Sequence, residues 1–178
     1  MKKVAVIIYG RFNPPTRGHE LLINDAKKLA INLDGDSFII VSHTQDKDKN
    51  PLDWLTKVSF LKHLIPDVNI VDDHSVRSAW HAIDYLKNLG YDDCHLVTGS
   101  DRVAEYQKRW LLYADKVFQT AKIHSVGDRN GSDIYGMSAS KARLSCNNLE
   151  QFKKAVGWTD NVVVNEMMKK VHNGLRGE

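Results

Sequence analysis

Short runs of continuous apolar residues alternate along this chain with longer amphipathic segments, and no other feature of the sequence restricts the fold as much. The first run, at residues 4–9, has no charged side chain. Such runs are typical of strands that are buried on both faces of a parallel sheet. Similar runs predict strands at residues 38–41, 68–71, 94–98 and 116–119.

The segments between these runs carry signals of helices. A helix is predicted from about Gly18, and another is predicted over residues 102–112. Asn50 followed by Pro51 is typical of a helix N-terminus, and Ser75 is a second candidate N-cap. From Ser138 to Glu178 the chain is predicted to be mostly helical.

This order of elements predicts an α/β fold: a doubly wound, Rossmann-like parallel sheet with helices on both faces and a short helical C-terminal part. We expect residues 1–146 to form the α/β domain and residues 147–178 to form C-terminal helices that pack on it. In such sheets, ligands bind outside the carboxyl ends of the strands. Functional residues are therefore expected just after residues 9, 41, 71 and 98.

Composition narrows the class of protein. The 178 residues include 42% hydrophobic ones, which suits one globular domain. The net charge of +3 is spread along the chain, so the sequence predicts no nucleic-acid partner. No run reaches the ~18 apolar residues of a membrane span, and we expect a cytoplasmic protein. Cys94 and Cys146 lie far apart without metal-ligand spacing, which predicts two buried thiols.

The first motif directly follows the first predicted strand and reads Gly-Arg-Phe-Asn-Pro-Pro-Thr-Arg-Gly-His at residues 10–19. Gly10 allows a sharp turn and leaves room for a ligand, and Gly18 permits close approach at the helix start. Free N–H groups at that helix N-terminus favour a phosphate, and His19 could donate to an oxygen on phosphorus. The same residues also fit a proline-rich loop and a helix with a merely exposed histidine.

The second motif precedes a predicted helix and reads Gly-Met-Ser-Ala-Ser-Lys-Ala-Arg at residues 136–143. Ser138 or Ser140 is a natural N-cap, and Lys141 and Arg143 add two cations near a terminus that already favours anions. An ordinary capped helix with solvated charges explains the same pattern.

Together the two motifs resemble the signatures of the nucleotidylyltransferase superfamily. The first matches Gly-x-Phe-(Asp/Asn)-Pro-x-(His/Thr)-x-Gly-His, with Thr16 in the place often held by a histidine. The second is similar to Ile-Ser-Ser-Thr-x-x-Arg, from which Met137 and Ala139 depart mildly. That superfamily includes nicotinamide mononucleotide, pantetheine phosphate and glycerol-phosphate nucleotidylyltransferases.

The resemblance implies transfer of a nucleoside monophosphate from ATP or CTP to a phosphorylated small molecule, with release of pyrophosphate. It implies catalytic roles for His19, Thr16 and Arg143. It implies nucleotide binding by a larger set: Gly10, Arg11, Phe12, Asn13, Gly18, Ser138, Ser140 and Lys141. Mg²⁺ is expected as the cofactor, held mainly by the nucleotide rather than by a protein metal site. Relatives are often homo-oligomers.

The acceptor is less well defined. Gly99-Ser100-Asp101 ends a predicted strand, and Trp110 follows nine residues later. This looks like the acceptor-binding segment of bacterial nicotinamide mononucleotide adenylyltransferases, which implies that Asp101 and Trp110 bind the acceptor. A helix-capping Asp101 and a core Trp110 are equally compatible with the sequence, while Trp54 and Trp80 are predicted to be packing residues.

Nicotinamide mononucleotide and ATP are therefore the first expectation. A cytidylyltransferase for a phosphorylated alcohol, using CTP, is the second. A nucleotide-binding regulatory module without turnover is an alternative of another class.

Overall fold

The fold is known from a computed structural model, which describes residues 2–126 and 137–178. The predicted loop at residues 127–136 lies outside the described residues. The chain divides into two compact units. Unit 1 contains Met1–Gly10, Leu21–Ile40 and Asn69–Arg129, and unit 2 contains Arg11–Glu20, Val41–Val68 and Asn130–Glu178.

The secondary structure alternates between strands and helices as predicted. The strands are β1 Val4–Gly10, β2 Asp36–Val41, β3 Asp93–Thr98 and β4 Thr120–Ser125. The helices are α1 Arg17–Asn32, α2 Trp54–Leu64, α3 Ala79–Asn88, α4 Val103–Lys108, α5 Trp110–Val117, α6 Ala139–Leu144, α7 Leu149–Val156 and α8 Asn161–Arg176. A 3₁₀ turn, Ser100–Arg102, links β3 to α4.

The strands form one sheet in the order β2-β1-β3-β4, and β3 runs parallel to both of its neighbours. The prediction of a Rossmann-like α/β fold is confirmed. The expected strand at residues 68–71 is reduced to a single bridge between Ile70 and Ile39. The expected strand at residues 116–119 is wrong, because Lys116 and Val117 complete α5 and the strand begins at Thr120.

The core of unit 1 lies on one face of the sheet. Alternate residues of β1 and β3 point into it, and they are Ala5, Ile7, Cys94 and Leu96. Helices α3 and α5 cover this face with buried side chains such as Ile83 and Trp110. The other residues of β1, Val6 and Ile8, are also buried, which explains the unbroken apolar run in the sequence.

Two helices begin later than predicted. Asp53, not Asn50, caps α2, because its carboxylate accepts from the Thr56 N–H while the Asn50 amide donates to Asp46. Ser78, not Ser75, caps α3, because its hydroxyl accepts from the His81 N–H. In each case the sequence offers two capping residues three positions apart, and the first of them bonds to an aspartate of its own loop instead.

In unit 2, α6 and α7 lie on opposite sides of residue 146, the expected last residue of the α/β domain, on which the C-terminal helices were expected to pack. They belong to the same unit, and the Ser138 N–H of the α6 cap donates to the Ala155 carbonyl at the end of α7. Cys94 and Cys146 are both buried free thiols, as predicted. Within residues 2–126 and 137–178, no helix has the length and apolar character needed to cross a membrane.

Candidate active site

The first motif forms the connection between β1 and α1. Gly10 is the last residue of β1, Arg11 is exposed, and residues 12–16 are buried. Phe12 has a φ of 48°, a conformation that a bulky side chain rarely adopts, and its ring is completely buried. Strain of this kind is tolerated where the surroundings fix the backbone, and it is common at functional sites.

Asn13 fixes this loop to the segment before α2. Its Nδ2 donates to the Leu52 carbonyl and its Oδ1 accepts from the Leu52 N–H, both at 2.9 Å. The side chain is 1% exposed, so it has no surface left for the nucleotide that we expected it to bind. The structure gives Asn13 a positioning role instead. The preceding residue, Pro51, lies against α8, where a Cβ on Gly174 would clash with the Pro51 carbonyl.

His19 lies in the first turn of α1, next to Gly18, and its orientation is fixed by Thr16. The Nδ1 atom lies 3.0 Å from the Thr16 nitrogen and 3.0 Å from the Thr16 Oγ1. Because the backbone N–H can only donate, Nδ1 is the acceptor, and the ring carries its proton on Nε2. The Phe12 ring packs against the imidazole at a centroid distance of 4.9 Å. This arrangement presents an oriented N–H donor, as phosphate binding requires.

Trp158 is a residue of this site that the sequence did not reveal. It lies between α7 and α8, is 6% exposed, and donates from its indole Nε1 to the Pro15 carbonyl at 3.0 Å. The two residues are 143 positions apart, so no local pattern could have indicated the contact. The C-terminal helices thus support the first motif.

The second motif begins α6 as predicted, although Gly136 lies outside the described residues. The Ser138 hydroxyl accepts from the N–H groups of Ser140 and Lys141, which makes Ser138 the N-cap. Ser140 and Lys141 are exposed. Of the predicted triphosphate-binding residues, Ser140 and Lys141 have surface to offer to a ligand, whereas the Ser138 hydroxyl is engaged by the helix.

Arg143 joins the two motifs within unit 2. Its Nη1 donates to the Asn13 carbonyl at 2.7 Å, and its Nη2 donates to the Ser140 hydroxyl at 3.1 Å. Burial and the nearby charge of Arg11 lower the pKa of Arg143, while Asp46 opposes that shift. The guanidinium stays protonated at neutral pH. Two cations held close together at the end of a buried loop favour an anion between them.

Asp46, in the loop between β2 and α2, is saturated with donors from its own loop. Its carboxylate accepts from the N–H groups of residues 48–50, and the Lys49 N–H and the Asn50 amide lower its pKa to about 2. Among the described residues, no group of three or more His, Cys, Asp or Glu side chains is placed to hold a metal ion.

Lys57 of α2 is a fully buried amine in unit 2. Its Nζ donates to the Ser42 carbonyl, immediately after β2. Burial lowers its pKa to about 8, against the attraction of Asp53. His43, which follows Ser42 in the chain, stacks on Trp54 at a centroid distance of 5.0 Å. Helix α2 therefore contacts the residues just after β2 through both Lys57 and Trp54.

In unit 1, the two predicted acceptor residues have different environments. Asp101 is exposed in the 3₁₀ turn that follows β3. Trp110 is completely buried and its indole donates to the Ala79 carbonyl at 2.9 Å. Trp110 is a core residue with no ring face available for stacking. Its position favours the second interpretation of the sequence, a Trp110 that packs in the core.

A different aromatic group lies near the carboxyl ends of β1 and β3 in unit 1. We define the aromatic cluster as Tyr9, Trp80, Arg102 and Tyr106. Trp80 and Tyr106 are 5.9 Å apart, and the Arg102 guanidinium lies 5.7 Å from the Tyr106 centroid. Tyr9 is close enough to affect the pKa of the Tyr106 phenol, which burial raises. Trp80 packs against the core of unit 1, as the sequence predicted, but it is half-buried, whereas Trp110 is completely buried.

No protein-family model matches the chain, and no curated protein is significantly similar to it in sequence. Solved structures do resemble it. Nicotinic acid mononucleotide adenylyltransferase from Plasmodium falciparum in complex with NaAD is 16% identical, with a TM-score of 0.62 over 97% of each chain. The same enzyme in complex with APC has a TM-score of 0.59 at 16% identity, over 95% of this chain and 96% of that one.

A Vibrio parahaemolyticus protein provisionally described as a nicotinate-nucleotide adenylyltransferase is 17% identical. Its TM-score is 0.62, over 94% of this chain and 99% of that chain. Along nearly its whole length, the chain therefore has the α/β fold of these nucleotidyltransferase structures.

Proposed function

We propose that this protein is an adenylyltransferase that transfers AMP from ATP to a pyridine mononucleotide and releases pyrophosphate. The observation that carries the proposal is the hydrogen bond from Arg143 to the Asn13 carbonyl at 2.7 Å. It brings together two motifs that are 130 residues apart, in the order and with the residue types of a nucleotidylyltransferase site. Neither motif alone supports this function as strongly.

His19 is proposed to stabilise the reacting phosphate. The acceptor phosphate oxygen attacks the α-phosphorus of ATP, a new P–O bond forms, and the bond to the leaving pyrophosphate breaks. No protein nucleophile is needed, because the acceptor supplies its own. The oriented Nε2–H of His19 can donate to a non-bridging oxygen whose negative charge grows in the transition state.

The cations near the second motif are proposed to hold the leaving pyrophosphate. Arg143 and Arg11 lie close enough for their charges to interact, and Lys141 is exposed at the start of α6. A triphosphate relieves the repulsion between the arginines and accepts charge-assisted hydrogen bonds from them. Ser140 orients Arg143 through its hydroxyl.

Mg²⁺ is proposed to arrive with ATP as the counter-ion of the triphosphate. The described residues do not supply a carboxylate cluster for it. No catalytic step of this chain is assigned to the metal.

The choice of a pyridine acceptor is supported by unit 1. Trp80 offers a half-buried aromatic face at the end of the sheet where ligands of this fold bind, and a cationic ring gains from contact with such a face. Asp101 is proposed to accept hydrogen bonds from the acceptor. The similar structures described above are named for transfer to nicotinate mononucleotide, which agrees with this choice.

The proposal is tested by incubating the purified chain with Mg²⁺, ATP or CTP, and a set of acceptors, followed by mass analysis of the products. The acceptors are nicotinate and nicotinamide mononucleotides, glycerol phosphate and phosphopantetheine. A dinucleotide from ATP and a pyridine mononucleotide is expected. His19→Ala is expected to reduce its rate by roughly 10²–10³-fold. His63→Ala removes a histidine that is paired with Asp160 on the surface, and it serves as the matched control.

Product from CTP and glycerol phosphate would support nucleotidyl transfer but contradict the proposed use of ATP and a pyridine mononucleotide. Nucleotide binding without any product would instead favour a regulatory module. A product whose formation does not depend on His19 would reject the role of the first motif.

A further inference from the structure

Arg102 has an unusual environment in the aromatic cluster. In the part of the chain that the structure describes, its buried Nε has no hydrogen-bond partner. Its Nη2 pairs with Glu105 at 3.2 Å, and its guanidinium lies over the ring of Tyr106. A guanidinium has five N–H donors, and unpaired buried donors are rare in proteins. The Nε itself is buried, but the side chain is 38% exposed, so a ligand can reach the guanidinium from its open side.

The position of Arg102 restricts what that ligand can be. It comes directly after Asp101, at the carboxyl end of β3, where this fold binds its substrates. The Tyr106 ring that carries the guanidinium also packs against Trp80, the aromatic face proposed to contact the pyridine ring. An acceptor ring in contact with Trp80 would therefore lie near Arg102.

The charge of Arg102 separates two acceptors of nearly equal size. The ring of a pyridine mononucleotide is a cation because its nitrogen is bonded to ribose. With an amide substituent the ring region stays positive, and a neighbouring guanidinium repels it. With a carboxylate substituent the ring region is neutral overall and presents a planar anion that fits the guanidinium fork.

We propose that Arg102 is a specificity-determining residue that selects an acceptor whose pyridine ring carries a carboxylate over one whose ring carries an amide. This inference rests on the proposed function. The Glu105 pair does not neutralise Arg102 for this purpose, because both side chains are partly exposed and such pairs are weak. One arginine that attracts one substrate and repels the other provides discrimination without any change in pocket size.

The test compares kcat/KM for nicotinate and nicotinamide mononucleotides in the wild type and in three variants. The wild type is expected to prefer nicotinate mononucleotide by roughly 10- to 100-fold, the range that a charge-assisted hydrogen bond supplies. Arg102→Gln is expected to bring the ratio close to one, mainly through a higher KM for nicotinate mononucleotide. Arg102→Lys is expected to retain part of the preference.

Glu105→Gln is the matched control, since it removes the surface partner of Arg102 and leaves the guanidinium in place. It is expected to keep or increase the preference. Thermal unfolding of each variant shows whether the fold is retained, and Arg102→Lys provides the test of charge should Arg102→Gln unfold.

Several results would overturn the inference. A wild type without preference would do so. An Arg102→Gln variant that loses the same factor with both acceptors would show that Arg102 binds their common phosphate or is structural. A wild type that forms no dinucleotide from either acceptor would reject the proposed function itself, and this result differs from the other two.

Discussion

The two units of this chain are stabilised in different ways. The core of unit 1 is almost entirely apolar and lies between the sheet and helices α3 and α5. In unit 2, the motif loop is fixed by polar side chains bonded to backbone groups. Asn13 binds Leu52, Arg143 binds Asn13, Trp158 binds Pro15, and Lys57 binds Ser42.

This difference indicates which residues affect both stability and function. A buried polar side chain fixes position more strictly than an apolar one, because its hydrogen bonds are directional and costly to leave unmade. Substitutions of these polar residues of unit 2 should therefore alter catalysis and stability together. Substitutions in the core of unit 1, away from Trp80 and Tyr106, should alter stability alone.

Arg143 provides the largest expected effect. Arg143→Ala removes a cation from the proposed triphosphate site and also leaves the Asn13 carbonyl without its partner. We expect kcat/KM to fall by roughly 10²–10³-fold. Arg143→Lys should recover only part of the lost kcat/KM, because an ammonium cannot reproduce the two hydrogen bonds of the guanidinium to Asn13 and Ser140.

Steady-state kinetics with varied ATP measure this effect. Arg176→Ala is the control, since Arg176 is an exposed residue paired with Glu178. Equal losses in both variants would mean that overall charge, rather than the joined motifs, is responsible.

Lys57 gives a smaller effect that depends on pH. Its pKa in the folded chain, about 8, is below the ordinary value of 10.5. Between these values the unfolded chain binds more protons, so the contribution of Lys57 to the free energy of unfolding rises with pH. The whole rise should amount to about 3 kcal/mol, because the pKa values differ by about 2.5 and each pKa unit corresponds to ~1.4 kcal/mol.

Urea unfolding of the wild type and of Lys57→Met at pH 7.5, 9 and 10.5 isolates the contribution of Lys57 to the free energy of unfolding. The stability of the wild type relative to the variant should increase along the series. A constant difference would mean that Lys57 keeps an ordinary pKa and that its burial is relieved in solution.

Trp110 should give the smallest effect, and it tests the other side of the comparison. Trp110→Phe removes the hydrogen bond to Ala79 and some core volume, at an expected cost of about 1–3 kcal/mol of stability. The KM for the acceptor should stay unchanged, because the indole has no exposed face. Trp80→Phe reverses the pattern, with a higher acceptor KM and little change in stability.

Thermal unfolding and acceptor kinetics of both variants measure this contrast. If Trp110→Phe raises the KM without loss of stability, the original expectation of a stacking Trp110 is restored.

The sequence predicted the elements whose signals are local. The apolar runs of β1 and β3, the Ser138 cap and the positions of both motifs could be read directly. Asn13 shows the limit, since its presence in a motif predicted ligand contact while the structure engages it with Leu52. A motif identifies which residue types a site needs, but it does not separate the residues that touch the ligand from those that fix the loop.

The remaining features depend on contacts between distant parts of the chain. Trp158 and Lys57 occupy ordinary helical or loop positions in the sequence, and only packing reveals that they bind backbone carbonyls. Trp80 and Trp110 illustrate the same limit, because helical periodicity does not tell an accessible indole from a buried one when both lie on short helices.

The hydrogen bond from Trp158 to Pro15 has a consequence for spectroscopy. The emission of an indole depends on the polarity around it and on the partner of its N–H. Trp158 is buried against the loop that carries Thr16 and His19, so any movement of that loop on nucleotide binding changes the surroundings of its ring. The chain thus contains an intrinsic fluorophore at the base of its first motif. The triple variant Trp54→Phe, Trp80→Phe and Trp110→Phe retains Trp158 as its one tryptophan. The emission of this variant can follow nucleotide binding in real time without a label.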